Sequence, residues 1–219
     1  MTVSTGAADT TVSKAAAIKD GYTSGARSLA TRGVRGLART RVTPNALTTS
    51  GVTLCAIAAI LVALEHRNEM LFYWVGAAVF VAGSILDILD GALARAGGKS
   101  TPFGAFLDST TDRIGEAFML GAIALVFNRH GNVVALAFAF AAVAGSILVS
   151  YTRARAEALG LKGDVGIGSR AERVVVITSG LVLAPWGVLP WAIYLLAATA
   201  WFTVGQRIWS VRAQLRARP

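Results

Sequence analysis

SILDILDGALARAGGKSTPFGAFLDSTTDR, residues 84–113, places two pairs of aspartates within apolar sequence. Asp87 and Asp90 are three positions apart, and Asp108 and Asp112 are four positions apart. Those spacings put both members of a pair on one face of a helix. Carboxylates among apolar helices are costly unless they have a partner, and a divalent cation with oxygen ligands is a suitable one. The segment therefore predicts two facing helices that hold metal between them.

The sequence on either side of this segment is typical of a membrane protein. Of the 219 residues, 54% are hydrophobic, and they occur in long runs. A helix needs about 20 apolar residues to cross the hydrocarbon core of a bilayer. We expect an all-α integral membrane protein with six transmembrane helices, the last two separated by prolines that interrupt the helix. The six runs lie at roughly 46–64, 70–91, 104–127, 132–152, 174–189 and 190–208.

Positive charge alternates with the apolar runs, and the net charge is +9. Lys and Arg collect before the first run, between the second and third, between the fourth and fifth, and after the sixth, whereas the alternate loops hold only Arg67 and Arg129. Because Lys and Arg favour the cytoplasmic side of a membrane, we predict a protein of the cell membrane whose two termini lie in the cytoplasm. The helix ends that carry the aspartates would face the cytoplasm as well. A basic sequence also suggests a nucleic-acid-binding protein, but the alternation with apolar runs argues against that.

Four segments are expected along the chain. Residues 1–13 are small and polar, which predicts disorder. Residues 14–42 mix apolar and basic side chains, which predicts an amphipathic juxtamembrane helix on the anionic cytoplasmic face of the membrane. Residues 43–210 would form the six-helix membrane domain, and residues 211–219 a basic cytoplasmic tail.

The residues around the aspartates favour phosphate chemistry. Two divalent ions a few ångströms apart can clamp the oxygens of an in-line phosphoryl displacement. Gly91 follows Asp90 and leaves room for a phosphate to approach the helix, and Arg95, one turn further on, is a fixed cation for it. Gly104 would serve in the same way or let the two helices pack closely. A single aspartate pair would also fit an ion pathway, but the combination of both pairs with Gly91 and Arg95 does not.

The segment resembles, position by position, the signature of the CDP-alcohol phosphotransferase family: Asp87, Asp90, Gly91, Ala94, Arg95, Gly104, Asp108 and Asp112. The resemblance implies a six-helix membrane enzyme, commonly a homodimer, that moves a phosphatidyl or related group from a CDP-linked lipid to an alcohol and releases CMP. It implies that two ions are bound by Asp87, Asp90, Asp108 and Asp112, with Asp112 also the general base. Oxygen ligands favour Mg²⁺ or Mn²⁺ as those ions.

The resemblance also implies a binding site for the CDP-lipid, formed by Asn45, Thr48, Gly91, Arg95 and Thr101. Three of these residues have a structural explanation as well. Asn45 and Thr48 come after Pro44 and would cap the first helix, and Thr101 precedes a proline, which is a helix-start signal.

A second basic cluster bears on the acceptor alcohol: SYTRARAEALGLKGDVG at 150–166 and RAER at 170–173. Several arginines near a metal site suit an anionic acceptor, because guanidinium groups recognise phosphate with paired donors, although charges that flank membrane helices explain part of the cluster. These two stretches resemble the corresponding segment of actinobacterial phosphatidylinositol phosphate synthases. That implies CDP-diacylglycerol as donor, inositol 1-phosphate as acceptor, and contacts to the acceptor phosphate from Ser150, Arg153, Arg173 and Arg207. Arg113 would either face this pocket or pair with Glu116.

Three other functions would use some of the same features. Phosphatidylglycerophosphate synthases use glycerol 3-phosphate and also need a phosphate pocket, so charge does not separate the two acceptors. A divalent-cation transporter would use the aspartates as a pathway, but Arg95 beside that pathway would repel cations. A scaffold protein with a vestigial site does not fit an intact motif.

Overall fold

The computed structural model describes residues 43–96 and 101–217. Within these ranges all regular secondary structure is helical, with six α-helices and no β-strand, so the predicted all-α class is confirmed. The segments predicted for residues 1–13 and 14–42 lie outside the described residues. The helices are α1 Pro44–Ala63, α2 Glu69–Ala96, α3 Pro102–Arg129, α4 Val133–Ala158, α5 Arg170–Val182 and α6 Leu189–Arg216, with short 3-10 helices at Glu65–Arg67 and Ala184–Trp186.

Polar side chains fix the starts of four helices by accepting a backbone N–H of the first turn: Thr43, Thr101, Asn132 and Ser169. Pro44 and Pro102 follow the first two caps, at a position where a missing N–H costs nothing. Thr101 Oγ1 accepts the N–H of Gly104 at 3.0 Å, so its predicted capping role is confirmed. Ser169 and Glu172 form a reciprocal capping box that sets the first residue of α5.

Glycines let α1 approach both helices of the aspartate motif. A Cβ on Gly83 of α2 would lie 2.8 Å from the carbonyl oxygen of Gly51 on α1, and one on Gly115 of α3 would lie 3.1 Å from Cys55 Cβ. Cys55 is buried at this junction. The close approach matters for the site because Asp87 lies one helical turn after Gly83.

The helices pack in two groups that α5 connects. α1 lies against α2 and α3, α4 lies against α3 and α6, and α5 packs on α2 and α6. Fully buried side chains along these contacts form the core, among them Phe80, Met119, Ile123, Ile177 and Leu196. Large apolar side chains are also exposed around the outside of the bundle, as expected of a surface that faces lipid.

Among the described residues, three helices are long and apolar enough to cross a membrane: α1, α2 and α4. The apolar run predicted at 174–189 is not one helix. α5 ends at Val182, and the chain passes through the 3-10 helix with Pro185 and through Gly187, which has a φ of 74°, before α6 starts. The 13 residues of α5 span only about 20 Å at 1.5 Å per residue, less than a hydrocarbon core of about 30 Å.

Two helices run beyond the apolar segments that predicted them. α4 continues past residue 152, and Arg153 and Glu157 form an ion pair one turn apart on it, with Nε and Oε1 2.9 Å apart. α6 continues past residue 208 to Arg216, so the residues predicted as a tail begin inside a helix. Gln214 of this extension exchanges two 2.9 Å hydrogen bonds with the backbone of Lys162, which ties the α4–α5 loop to α6.

Candidate active site

Three of the four aspartates meet where α2 faces α3. Asp87 and Asp90 of α2 are buried, and Asp108 of α3 is partly buried. One carboxylate oxygen from each of the three lies within 4.8 Å of the others, close enough for the three to share a divalent cation. The predicted pairing of two helix faces is therefore seen in the structure.

Asp112 lies one turn after Asp108 and is held by a cation from another helix. Arg170, the first residue of α5, places Nη1 2.8 Å from Asp112 Oδ1. The same nitrogen donates a hydrogen bond to Asp87 Oδ2. The guanidinium of Arg170 thus joins α5 to both helices of the aspartate motif. From the sequence, Arg170 was only one of several arginines expected near the acceptor. No sequence pattern indicated its contacts with Asp87 and Asp112.

Two buried carboxylate oxygens in the site lack a hydrogen-bond donor among the described residues: Asp90 Oδ1 and Asp112 Oδ1. The other oxygen of Asp90 accepts a hydrogen bond from Thr48 Oγ1. The contact of Arg170 with Asp112 Oδ1 is an ion pair without hydrogen-bond alignment, which is why that oxygen stays unsatisfied. Buried oxygens without donors are costly, and a divalent cation satisfies them. The donor set therefore fits a divalent metal.

A cleft on one side of the aspartates contains all five residues predicted to bind the CDP-lipid. Asp90 and Asp108 form its inner wall, and the five line the rest: Asn45, Thr48, Gly91, Arg95 and Thr101. The Arg95 guanidinium lies over Gly91, where an added Cβ would come within 3.3 Å of Nη1. A Cβ on Gly104 would lie 3.6 Å from Asn45 Oδ1 in the same cleft. Residues from α1, α2 and the start of α3 are thus brought together, and we refer to this as the donor cleft.

A second cleft, which Asp112 lines, lies between α3, α4, α5 and α6. Its lining includes the four residues predicted to contact the acceptor phosphate: Ser150, Arg153, Arg173 and Arg207. Asp112, Arg113 and Arg170 line it as well. We refer to it as the acceptor cleft. Arg170 reaches from this cleft to Asp87, and the aspartates border both clefts: Asp90 and Asp108 line the first, and Asp112 lines the second.

Two of the predicted phosphate ligands are buried and already bonded. Arg173 pairs with Glu116 through two contacts, Nε to Oε1 at 2.7 Å and Nη2 to Oε2 at 2.8 Å, and its Nη1 donates to Gly168 O at 2.8 Å. Arg207 donates to Val149 O and, at 2.9 Å, to Val165 O. Both arginines thus tie the α4–α5 loop to the helices, a role that sequence reasoning did not find.

The remaining basic residues of this cleft are more open. Arg153 is exposed and contacts Glu157 in the exposed pair described above. Arg113 lines the cleft and donates to Ser109 O, which agrees with the first of the two placements expected for it. Its alternative pairing with Glu116 is not seen, because Arg173 occupies that carboxylate.

The two histidines lie far from the aspartates, in the short connections at the opposite ends of the helices. His130 Nε2 is 3.2 Å from Glu65 Oε1, and His66 Nδ1 is 3.0 Å from Arg129 Nη1. Glu65 is fully buried between these side chains. Neither histidine therefore contacts the aspartates.

Comparisons with known proteins bear on both clefts. The profile of the CDP-alcohol phosphatidyltransferase family matches residues 41–209. An archaetidylinositol phosphate synthase from Pyrococcus horikoshii is 37% identical over 181 residues, which cover 82% of this chain and 88% of the relative. A phosphatidylinositol phosphate synthase from Mycobacterium marinum is 36% identical over 185 residues, which cover 81% and 76%.

Solved structures of a phosphatidylinositol phosphate synthase from Mycobacterium tuberculosis are similar to the chain along most of its length. The structure with CDP-DAG bound has a TM-score of 0.75 at 30% identity and covers 84% of this chain and 94% of its own. The structure in complex with manganese and citrate also has a TM-score of 0.75, at 31% identity, and covers 83% and 88%.

Proposed function

Because the chain belongs to the CDP-alcohol phosphatidyltransferase family, we propose that it transfers the phosphatidyl group of CDP-diacylglycerol to inositol 1-phosphate, giving phosphatidylinositol phosphate and CMP. The observation that carries the proposal is that the aspartates border both clefts: Asp90 and Asp108 line the donor cleft, and Asp112, one turn after Asp108 on α3, lines the acceptor cleft. A transferase that joins two substrates needs such a group at the point where they meet. Membership of the family argues against a cation transporter and against a vestigial scaffold.

The acceptor assignment is supported by charge and by the relatives. The acceptor cleft is lined by five arginines, which suits a phosphate-bearing alcohol better than a neutral one: Arg113, Arg153, Arg170, Arg173 and Arg207. The curated relatives described above are named for archaetidylinositol phosphate and phosphatidylinositol phosphate, so their names share the inositol phosphate part and differ in the lipid. They therefore support the acceptor more strongly than the diacylglycerol backbone of the donor.

The proposed chemistry is a direct displacement at phosphorus. Asp87, Asp90, Asp108 and Asp112 would hold two divalent ions, Mg²⁺ or Mn²⁺, which supply positive charge to the transferring phosphate and to departing CMP. Asp112, which borders the acceptor cleft, takes the proton of the inositol hydroxyl. That hydroxyl oxygen bonds to the lipid-side phosphorus of the pyrophosphate, and the bond from this phosphorus to the CMP oxygen breaks. No covalent bond to the protein is required.

The two clefts hold the substrates in line for this step. In the donor cleft, Arg95 pairs with the pyrophosphate above Gly91, and Asn45, Thr48 and Thr101 contact the CDP portion. In the acceptor cleft, Ser150 and Arg153 contact the phosphate of inositol 1-phosphate directly. Arg173 and Arg207 contribute to the same phosphate site, and their bonds to Gly168 and Val165 also shape the loop that bounds it.

The membrane setting completes the proposal. The helices would provide six spans in the cell membrane, the fifth formed by α5 together with the 3-10 helix that follows it, and the acyl chains of the lipid would leave the donor cleft between helices. Both termini and the active site would face the cytoplasm, where Lys and Arg are enriched on this chain. We also propose a homodimer in the bilayer.

The test is CMP release by purified protein in lipid nanodiscs. CDP-diacylglycerol is supplied with inositol 1-phosphate, glycerol 3-phosphate or free inositol in separate reactions, each with Mg²⁺ or with a chelator. We expect release only when metal is present and fastest with inositol 1-phosphate. Faster CMP release with glycerol 3-phosphate would mean that the protein is a phosphatidylglycerophosphate synthase. Release that does not depend on any acceptor would reject the transferase proposal.

A further inference from the structure

Arg170 is the arginine of the acceptor cleft that contacts the aspartates. Its Nη1 donates to Asp87 Oδ2 and lies 2.8 Å from Asp112 Oδ1, and the side chain also lines the acceptor cleft. A single nitrogen therefore lies between two of the four carboxylates proposed to bind metal. An oxygen that faces a guanidinium at this distance is not free to bind a cation on the same side.

A divalent ion and the Arg170 guanidinium are competitors for this position. Both are positive, and both satisfy the same carboxylate charge. Asp112 Oδ1 receives no aligned hydrogen bond from Arg170, so the arginine satisfies this oxygen only in part. When metal binds Asp87 and Asp112, repulsion between the two cations favours movement of the guanidinium away from the aspartates.

The acceptor cleft is where the displaced guanidinium can go. Ser169 caps α5 directly before Arg170, so the backbone of Arg170 is fixed and only its long side chain has freedom to move. Its side chain is 28% exposed, on the side that lines the acceptor cleft. Arg173 and Arg207 are held there by Glu116 and by backbone carbonyl groups that a metal does not replace. Arg170, in contrast, loses its present partners to the metal.

We propose that Arg170 couples the two sites: metal binding releases its guanidinium from Asp87 and Asp112, and the released group then binds the phosphate of the acceptor. This inference rests on the proposed function, because it uses a phosphate-bearing acceptor and a metal held by the aspartates. By thermodynamic linkage, the acceptor must tighten metal binding by the same factor by which metal tightens acceptor binding.

The experiment measures the binding of Mn²⁺ to the full chain in nanodiscs by electron paramagnetic resonance, without CDP-lipid, so that no turnover takes place. Parent protein and Arg170→Met are titrated with and without saturating inositol 1-phosphate. In the parent, the acceptor is expected to lower the Kd for Mn²⁺ by about tenfold, within the usual range for coupled sites. In Arg170→Met, Mn²⁺ should bind more tightly than in the parent without acceptor, and the acceptor should add less than a twofold change.

Arg153→Met is the matched control for the titration without acceptor. It removes a cation from the same cleft, but Arg153 contacts Glu157 and none of the aspartates, so its Kd for Mn²⁺ should stay within about twofold of the parent. Free inositol in place of inositol 1-phosphate should give no coupling even in the parent. Arg170→Lys, which keeps the charge on a smaller group, should give an intermediate Kd and replaces the Met variant if that variant does not fold.

Unchanged or weaker Mn²⁺ binding in the Arg170 variants would show that metal and Arg170 do not compete for the aspartates. If the acceptor tightened Mn²⁺ binding equally in the parent and in Arg170→Met, Arg170 would not be the residue that couples the two sites. Because these titrations need no turnover, their failure is distinct from failure of the proposed reaction, which shows as absent CMP release. Inorganic phosphate serves as a second probe. If it tightens Mn²⁺ binding as inositol 1-phosphate does, the coupling stands whatever alcohol the enzyme uses.

Discussion

Arg173 of α5 and Glu116 of α3 form a buried ion pair with two contacts, 2.7 Å from Nε to Oε1 and 2.8 Å from Nη2 to Oε2. The pair lies at the wall of the acceptor cleft and holds α5 against α3. Removing one partner leaves the other charge buried and unpaired, which typically costs about 3–5 kcal/mol. The pair therefore gives Arg173 a structural role in addition to any contact with substrate.

A double-mutant cycle separates these two roles. Glu116→Met and Arg173→Met should each lower the thermal unfolding temperature of the solubilised protein, and the double variant should recover most of the loss because no buried charge is left alone. The recovered double variant should still have a raised KM for the acceptor if Arg173 also contacts its phosphate. Single variants as stable as the parent would show that the pair does not hold α5 in place.

Asp112 is predicted to be the general base. Asp112→Asn keeps the shape of the side chain but removes its ability to take the proton, so CMP release should fall by at least about a hundredfold. Binding of CDP-diacylglycerol should change little, because the donor cleft is lined by Asp90 and Asp108 and not by Asp112. Turnover is measured by CMP release and donor binding by equilibrium titration. Near-parent turnover would mean that another group accepts the proton.

Two arginines of the acceptor cleft should differ in their effects. Arg153 is exposed, so Arg153→Ala should raise KM for inositol 1-phosphate by about tenfold to a hundredfold, the loss of one charge-assisted contact, without lowering stability. Arg207 is buried and bonded to Val149 and Val165, so Arg207→Ala should raise the same KM and also lower the unfolding temperature. The KM for CDP-diacylglycerol should hardly change in either variant. A normal acceptor KM in both purified variants would mean that the two arginines do not contact the acceptor and act only as flanking charges that orient the helices in the membrane.

The contact between Gly51 and Gly83 is predicted to position the aspartates. Gly83→Ala would bring a Cβ to 2.8 Å from the Gly51 carbonyl oxygen, so α1 and α2 must separate. We expect a loss of about 1–3 kcal/mol in stability, and at least a tenfold loss in CMP release as Thr48 and Asp90 move apart. Gly121→Ala on α3 is the matched control, because an added Cβ there meets nothing within 4 Å. Equal effects of the two substitutions would show that the close approach of α1 and α2 does not position the aspartates.

The orientation in the membrane can be tested without reference to chemistry. Single cysteines are introduced at Asn68, Gly131 and Lys162 in a Cys55→Ala background, since Cys55 is the one native cysteine. In right-side-out vesicles, an impermeant thiol reagent should label positions 68 and 131 and should not label position 162. The reverse pattern would place the aspartate ends of the helices outside the cell.

Sequence reasoning predicted much of this site because its signals are local. The spacing of Asp87 to Asp90 and of Asp108 to Asp112 indicates shared helix faces, and the structure brings three of these carboxylates together. Thr101 was predicted as a cap from its proline neighbour alone. The length of α5 was not predicted, because an apolar composition extends past Val182 while Pro185 and Gly187 end the regular helix.

Side-chain contacts between residues far apart in the chain could not be predicted from the sequence. Nothing local to Arg173 indicates that its partner is Glu116, 57 positions earlier, because that contact depends on how α5 packs against α3. Arg170 was hard to distinguish from the other basic residues at helix ends, since the positive-inside rule explains all of them equally well. Only the packing of α5 against α2, close to the end of α3 that carries Asp112, shows that its guanidinium reaches Asp87 and Asp112.

The lipid formed in a competition reaction tests the central claim most directly. Parent protein and Asp112→Asn are incubated with CDP-diacylglycerol, Mg²⁺ and equal concentrations of inositol 1-phosphate and glycerol 3-phosphate, and the lipid products are identified by mass spectrometry. We predict phosphatidylinositol phosphate as the main product of the parent and no new lipid from Asp112→Asn. Phosphatidylglycerol phosphate as the main product, or equal product from the Asp112 variant, would contradict the account.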